Sequence, residues 1–132
     1  MTPRLAHIAL NCADLATTEA FYATWFSFHR TRLFQLPDTT VVFLTNGAIH
    51  LELFHTPGPP APSSADGPHT PGHIRHLAFE VTDLEEFLTQ AAGKIPVTLG
   101  PLSFDTYIPG WRSAWLRAPD NVIIELTQGY TD

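Results

Sequence analysis

Two segments of the chain place a histidine at the head of an apolar run that ends in Asp-Leu. The first, His-Ile-Ala-Leu-Asn-Cys-Ala-Asp-Leu, starts at His7, and the second, His-Leu-Ala-Phe-Glu-Val-Thr-Asp-Leu, starts at His76. Each is followed further along by a second apolar run that contains one glutamate, which is Glu52 in His-Leu-Glu-Leu-Phe and Glu125 in Val-Ile-Ile-Glu-Leu. Two imidazole and two carboxylate groups at equivalent places of a duplicated sequence predict one site for a divalent metal ion.

The alternation of side chains along a strand predicts which face these four residues occupy. Each histidine shares its face with the alanine two positions later, whereas Ile8 and Leu77 point the opposite way, toward the helix of each copy. Glu52 and Glu125 stand between large apolar residues, so they also face away from the helices. Because an enclosed carboxylate without a partner is costly, a cation would stabilise this arrangement. We expect the four side chains to meet in one cavity.

The donor set does not select a single metal. Two nitrogen and two oxygen donors suit Ni²⁺, Co²⁺, Zn²⁺, Mn²⁺ or Fe²⁺ and leave positions open for water or substrate. His50 and His73 are alternative ligands, because His50 shares the face of Glu52 and His73 precedes His76 by three residues. Neither has a counterpart in the other copy. The predicted ligands are therefore His7, Glu52, His76 and Glu125.

Each copy is predicted to fold as a βαβββ module, which places the chain in the α+β class. In the first copy Asp14 caps a helix over about residues 15–26, Asn46-Gly47 forms a hairpin turn, and strands are expected near 5–12, 28–35, 40–46 and 48–54. In the second copy Asp83 begins a helix that Gly93 ends, and strands are expected near 74–82, 96–100, 112–117 and 121–127. Each module would form a curved sheet with its helix on the outer face.

The length of the chain predicts one domain over residues 1–132, with the two modules as its halves. The first module covers about residues 1–54 and the second about residues 73–132. The segment between them, about residues 55–72, holds half of the 12 prolines. Since proline cannot pair inside a sheet, we interpret this segment as a linker.

Composition excludes several classes of function. Hydrophobic residues make up 44% of the chain and charged residues 15%, and the net charge is −6. Without a basic cluster, nucleic acid and anionic membrane surfaces are not expected partners. The single cysteine, Cys12, cannot form an internal disulfide, and no apolar stretch reaches the roughly 20 residues of a membrane span. We expect a cytoplasmic protein whose partner is a small molecule.

The same motifs resemble the vicinal oxygen chelate superfamily, which contains glyoxalase I, bleomycin resistance proteins and extradiol dioxygenases. The resemblance covers essentially the whole chain, and small bacterial glyoxalase-like proteins are the most similar members. It rests on His-Ile-Ala-Leu at His7, Leu-Glu-Leu-Phe around Glu52, Arg-His-Leu-Ala-Phe around His76 and Pro-Asp-Asn-Val-Ile-Ile-Glu-Leu up to Leu126. The resemblance implies paired βαβββ modules around a metal-containing cavity, with the four ligands already predicted. Glyoxalase I usually carries an arginine for the glutathione carboxylate where this chain has Asn11. Asn11 is therefore counted among the predicted substrate-binding residues, and it argues against glutathione as the thiol.

The leading functional hypothesis is a glyoxalase-like lyase or isomerase that acts on a small α-oxygenated carbonyl compound through a metal-chelated enediolate. Glu125, or Glu52 on the opposite side, would act as the general base. Arg112, at the start of a strand, would bind an anionic substrate group, and Tyr107 and Trp111 would line the mouth of the cavity.

Two other functions remain open. A metal-bearing protein could bind an antibiotic or metabolite without turnover, or an iron-dependent dioxygenase could cleave an aromatic ring, although Glu52 argues against the dioxygenase. A homodimer is expected, and the cavity would be closed within one chain or by an exchange of modules between two chains.

Overall fold

The structure is a computed structural model that describes residues 1–131. Contacts between Cα atoms divide the chain into two units, Met1–Pro60 and Ala61–Asp132. Each unit holds one four-stranded sheet and one α-helix. Over the described residues, neither helix combines the length and the hydropathy that crossing a bilayer would require.

The first unit is a βαβββ module, as predicted. Its elements are β1 (Ile8–Cys12), α1 (Leu15–Phe26), β2 (His29–Gln35), β3 (Thr40–Thr45) and β4 (His50–His55). The sheet has the order β1-β4-β3-β2, in which β1 runs parallel to β4 and the other neighbours are antiparallel. The helix α1 packs against β2 and β4, so that Leu51 and Leu53 of β4 are fully buried.

The second unit repeats this topology. Its elements are β5 (Leu77–Glu80), α2 (Leu84–Ala91), β6 (Val97–Ser103), β7 (Arg112–Arg117), a 3₁₀ turn (Pro119–Asn121) and β8 (Ile123–Gln128). The sheet has the order β5-β8-β7-β6, with β5 parallel to β8 and the other neighbours antiparallel. The helix α2 packs against β7 and β8, and Ile124 and Leu126 of β8 are fully buried.

Local hydrogen bonds explain where the helices begin. The Asp14 carboxylate accepts from the backbone N–H of Thr17 at 3.1 Å, and the Asp83 carboxylate accepts from the backbone N–H of Glu86 at 3.0 Å. Both bonds satisfy backbone donors that have no partner inside the helix. The two N-caps predicted from the sequence are thereby confirmed.

The first strand of each module is shorter than the sequence analysis predicted. β1 begins at Ile8 and β5 at Leu77, so each histidine comes directly before its strand. Both strands lie at a sheet edge and pair with one neighbour only. Pairing starts at Ile8 with Leu51 and at Leu77 with Ile124, and each strand therefore begins one residue after its histidine.

The second half of the proline-rich segment belongs to the second unit. The Thr98 hydroxyl donates to the carbonyl of Ala65 at 2.6 Å, and the Asn121 amide donates to the carbonyl of Ala61 at 3.0 Å. Proline keeps the segment out of the sheet ladder, but its carbonyl oxygens still accept side-chain hydrogen bonds. Ala61 and Ala65 are therefore tied to other parts of the second unit, and the role of residues 55–72 as a linker between the modules stays a prediction.

Candidate metal centre

The first unit brings His7 and Glu52 together. Their atoms Nε2 and Oε1 are 3.1 Å apart. The contact follows from the parallel pairing of β1 and β4, in which Ala9 lies beside Glu52 and its small side chain leaves room for the imidazole. On the other side of Glu52 lies Phe43 of β3, whose ring meets the His7 ring edge to face with the centroids 5.7 Å apart.

The second unit repeats this arrangement with His76 and Glu125. Their atoms Nε2 and Oε1 are 3.0 Å apart. Ala78 of β5 pairs with Glu125, and Trp115 of β7 pairs with it from the other side. The Trp115 and His76 rings have their centroids 6.2 Å apart at 73°. Each unit thus builds one His–Glu pair, flanked by an alanine and an aromatic ring.

The other nitrogen of His76 fixes its tautomer. Nδ1 is 2.7 Å from the carbonyl oxygen of Asp66, and because a carbonyl only accepts, Nδ1 carries the hydrogen. When this ring is neutral, its lone pair lies on Nε2, the atom that faces Glu125. A lone pair and a carboxylate oxygen at this distance favour a cation between them, which is either a proton or a metal ion. The pair therefore has the chemistry of two metal ligands.

The Asp66 side chain holds the loop that supplies this carbonyl. His69 Nε2 lies 2.6 Å from Asp66 Oδ1, and this hydrogen bond lowers the pKa of Asp66 below its ordinary value. Gly67, at φ +110°, lets the chain turn so closely that an added Cβ would lie 1.6 Å from the carbonyl oxygen of Arg75. The loop therefore needs a glycine at this position.

Glu125 has a second anchor that the sequence analysis missed. Its Oε2 accepts from the hydroxyl of Ser113 at 2.8 Å, and the hydroxyls of Ser113 and Thr127 are 3.1 Å apart. The indole N–H of Trp111 donates to the Thr127 hydroxyl at 2.7 Å. The alternation of side chains along the strands could have predicted this anchor, because it places Ser113 and Thr127 on the same sheet face as Glu125.

The four predicted ligands are thus found as two pairs, one in each unit. Among residues 1–131, no three His, Cys, Asp or Glu side chains are grouped in a way that could hold a metal ion. The donor chemistry of each pair fits a divalent metal. Ligation of one ion by all four residues stays a prediction.

The other residues predicted for the site lie in different surroundings. Arg112 pairs with Glu85 of α2, on the face of β7 opposite Trp115, so it is held away from the His76–Glu125 pair. Tyr107 is largely exposed. Trp111 packs on Phe104, with ring centroids 4.7 Å apart.

Asn11 lies on β1, two residues after Ala9 and on the same face. Its side-chain oxygen accepts from the hydroxyl of Thr56 at 3.0 Å. This neutral amide offers no positive charge for a substrate carboxylate. A neutral amide at this position agrees with the prediction that the substrate is not a glutathione conjugate. That prediction remains untested.

Comparison with known proteins gives one curated relative and many similar folds. The uncharacterized protein YwkD of Bacillus subtilis (strain 168) is 29% identical over 123 residues, covering 91% of this chain and 92% of that protein. A glyoxalase family protein from Enterococcus faecalis is 27% identical, with a TM-score of 0.69 over 94% of this chain and 96% of that one.

A fosfomycin resistance protein also has this fold. A glutamate-to-glutamine mutant of FosX from Listeria monocytogenes, in complex with Mn(II) and 1S,2S-dihydroxypropylphosphonic acid, is 19% identical, with a TM-score of 0.74 over 98% of this chain and 93% of that one. At this identity the likeness concerns the fold. A family model matches residues 4–126, which confirms the resemblance found in the sequence. The chain therefore belongs to the Glyoxalase/Bleomycin resistance protein/Dioxygenase superfamily.

Proposed function

We propose that the protein is a metal-dependent enzyme that moves a proton at the carbon next to the carbonyl group of a small α-oxygenated compound, as a glyoxalase-like lyase or isomerase does. The observation that carries this proposal is the repetition of one His–Glu pair in both units, at 3.1 Å and 3.0 Å. A single pair could be an ordinary ion pair. Two pairs in equivalent places of a duplicated fold favour a shared function.

The ligands of the metal would be His7, Glu52, His76 and Glu125. One divalent ion (Ni, Co, Zn, Mn or Fe) would be held by both pairs, brought together within one chain or between the two chains of a homodimer. The presence of Mn(II) in the FosX complex, a protein of the same fold, supports this proposal. When bound, such an ion polarises neighbouring substrate oxygens as a Lewis acid.

The side chains of the protein would supply the remaining chemistry. Glu52 or Glu125 would accept the proton from the α-carbon as general base. The rings of Phe43 and Trp115 would give the substrate carbon chain an apolar surface. Since Arg112 is bound to Glu85, we assign no anionic substrate group to it.

The test is turnover by metal-loaded protein. Protein stripped of metal and reloaded with each of the five ions is mixed with hemithioacetals and with 2-oxo and 2-hydroxy acids in D₂O. Proton NMR then follows isomerisation and the loss of the α-proton signal. We expect exchange with at least one substrate class, abolished in E52Q or E125Q. E86Q is the matched control, because Glu86 is exposed on α2, where its carboxylate accepts a hydrogen bond from the side chain of Gln90.

The two remaining functions give different results in the same experiment. A ligand that binds and is not changed would indicate sequestration without turnover. Oxygen uptake with catechols by the iron-loaded protein would indicate a dioxygenase. Bound metal with no exchange across the whole panel would overturn the proposed reaction.

A further inference from the structure

The hydrogen bonds around Glu125 have a fixed direction. The indole N–H of Trp111 can only donate, and an ionised carboxylate can only accept. The Ser113 hydroxyl gives its one hydrogen to Glu125, so its oxygen accepts from the Thr127 hydroxyl, which in turn accepts from Trp111. The chain of hydrogen bonds therefore runs from Trp111 through the two hydroxyls and ends at Glu125 Oε2. Hydrogen bonds in such a chain polarise one another and hold the Glu125 carboxylate in one orientation.

The equivalent positions around Glu52 have no hydroxyl groups. Ser113 pairs with Thr127 two residues along from the Trp115–Glu125 pair. At the same register in the first unit, Val41 pairs with Phe54, two residues along from the Phe43–Glu52 pair. Two apolar side chains thus replace the two hydroxyls. Within residues 1–131, Glu52 has its ion pair with His7 and no bond like the one from Ser113.

The two histidines also differ in how firmly hydrogen bonds hold their rings. His76 is held at Nδ1 by the Asp66 carbonyl, which sits in a loop fastened by Thr98. His7 directly precedes the edge strand β1, and the part of the chain that the structure describes places no hydrogen-bond partner at its Nδ1. The side chain of His7 is 40% exposed and that of His76 22% exposed.

We infer that the two half-sites are unequal, with His76–Glu125 as the preorganised half that holds the metal and His7–Glu52 as the labile half. This inference rests on the proposed metal site. Ligands that neighbouring groups already orient lose less conformational freedom on binding, and such neighbours raise metal affinity. Glu52 is then the carboxylate that yields its position to substrate and becomes available as the base. Ser113, Thr127 and Trp111 act as positioning residues for Glu125.

The first test compares the ligands of the two half-sites. Mn²⁺ is titrated into metal-free wild type, E52Q, E125Q, H7A and H76A, and free Mn²⁺ is measured by electron paramagnetic resonance. We expect E125Q to weaken Mn²⁺ binding at least about tenfold more than E52Q does, and H76A at least about tenfold more than H7A. Equal losses in the two half-sites would overturn the inference.

The second test isolates the positioning residues. S113A removes the hydroxyl that Glu125 accepts from, and V41A makes the matched truncation beside Glu52. S113A is expected to raise the Mn²⁺ dissociation constant about tenfold or more, T127V by a smaller factor, and V41A by less than about twofold. Thermal unfolding of each metal-free variant shows whether the fold is kept. A V41A effect as large as that of S113A would contradict the inference.

The outcomes separate the two proposals. If wild-type protein binds no Mn²⁺ and none of the other four ions, the proposed metal site fails, and the inference fails with it. If wild type binds Mn²⁺ and the paired variants lose affinity equally, the metal site stands and the inequality of the half-sites is refuted.

Discussion

At the scale of single residues, hydrogen bonds distinguish two glutamates that the sequence pattern treats as equal. Glu52 and Glu125 each face a histidine, but only Glu125 accepts from a serine whose hydroxyl is itself fully buried. Trp111, predicted to line the cavity mouth, uses its N–H to support that serine through Thr127.

The variant W111F tests this role. It removes the N–H and keeps an aromatic ring against Phe104 and Tyr130. The free energy of unfolding in urea should fall by about 1 kcal/mol. Combined with T127V, the loss should be smaller than the sum of the two single losses, because both changes remove the same hydrogen bond. Strictly additive losses would show that the bond contributes nothing.

Arg112 gives a second prediction at this scale. Its ion pair with Glu85 is partly exposed, with 36% and 61% of the two side chains accessible, so R112A should lower the free energy of unfolding by less than about 1 kcal/mol. The Mn²⁺ affinity and the KM for any anionic substrate should stay unchanged, and E85A should behave alike. A KM that rises tenfold in R112A alone would instead restore the substrate role predicted from the sequence.

At the scale of elements, strand alternation and turn chemistry explain most of what the sequence predicted. The βαβββ order, both N-caps and the face of each glutamate follow from local patterns. The start of β1 and β5 does not, because it is defined by backbone pairing with β4 and β8, which the alternation of side chains does not reveal. The face of Arg112 was also ambiguous, since both faces of β7 mix large apolar and polar residues.

The loop around Asp66 could not be predicted from its own residues. Proline and glycine indicate a linker, whereas its hydrogen bonds come from Thr98 and Asn121, far along the chain. Such contacts exist only after the sheet of the second unit has formed. The tautomer of His76 depends on them.

The variant G67A tests the link between this loop and His76. Its Cβ would overlap the Arg75 carbonyl, so the loop must shift and the free energy of unfolding should fall by about 3 kcal/mol. G72A is the matched control, because Gly72 also has a positive φ, +89°, with nothing within 4 Å of the added Cβ.

Nitrogen-15 NMR of the histidine rings then reports the tautomer. Wild type and G72A should show His76 protonated at Nδ1, whereas G67A should show a mixture of tautomers. If G67A keeps both the wild-type stability and the Nδ1–H form, the loop does not hold His76.

At the scale of the whole molecule, duplication is the feature that connects fold and function. Two copies of one module each place a His–Glu pair beside an alanine of an edge strand. The family match over residues 4–126 spans both copies. The inequality of the two pairs is invisible in the repeat itself, because it arises from residues outside the repeated motifs.

The number of metal ions bound per chain tests the central claim most directly. Metal-free protein is saturated with Mn²⁺, freed of excess ion, and analysed for manganese and protein. Joint ligation by both pairs, within one chain or across a homodimer, predicts one ion per chain. Two ions per chain would mean that each His–Glu pair binds separately, and no bound ion with any of the five metals would mean that the pairs are ordinary ion pairs.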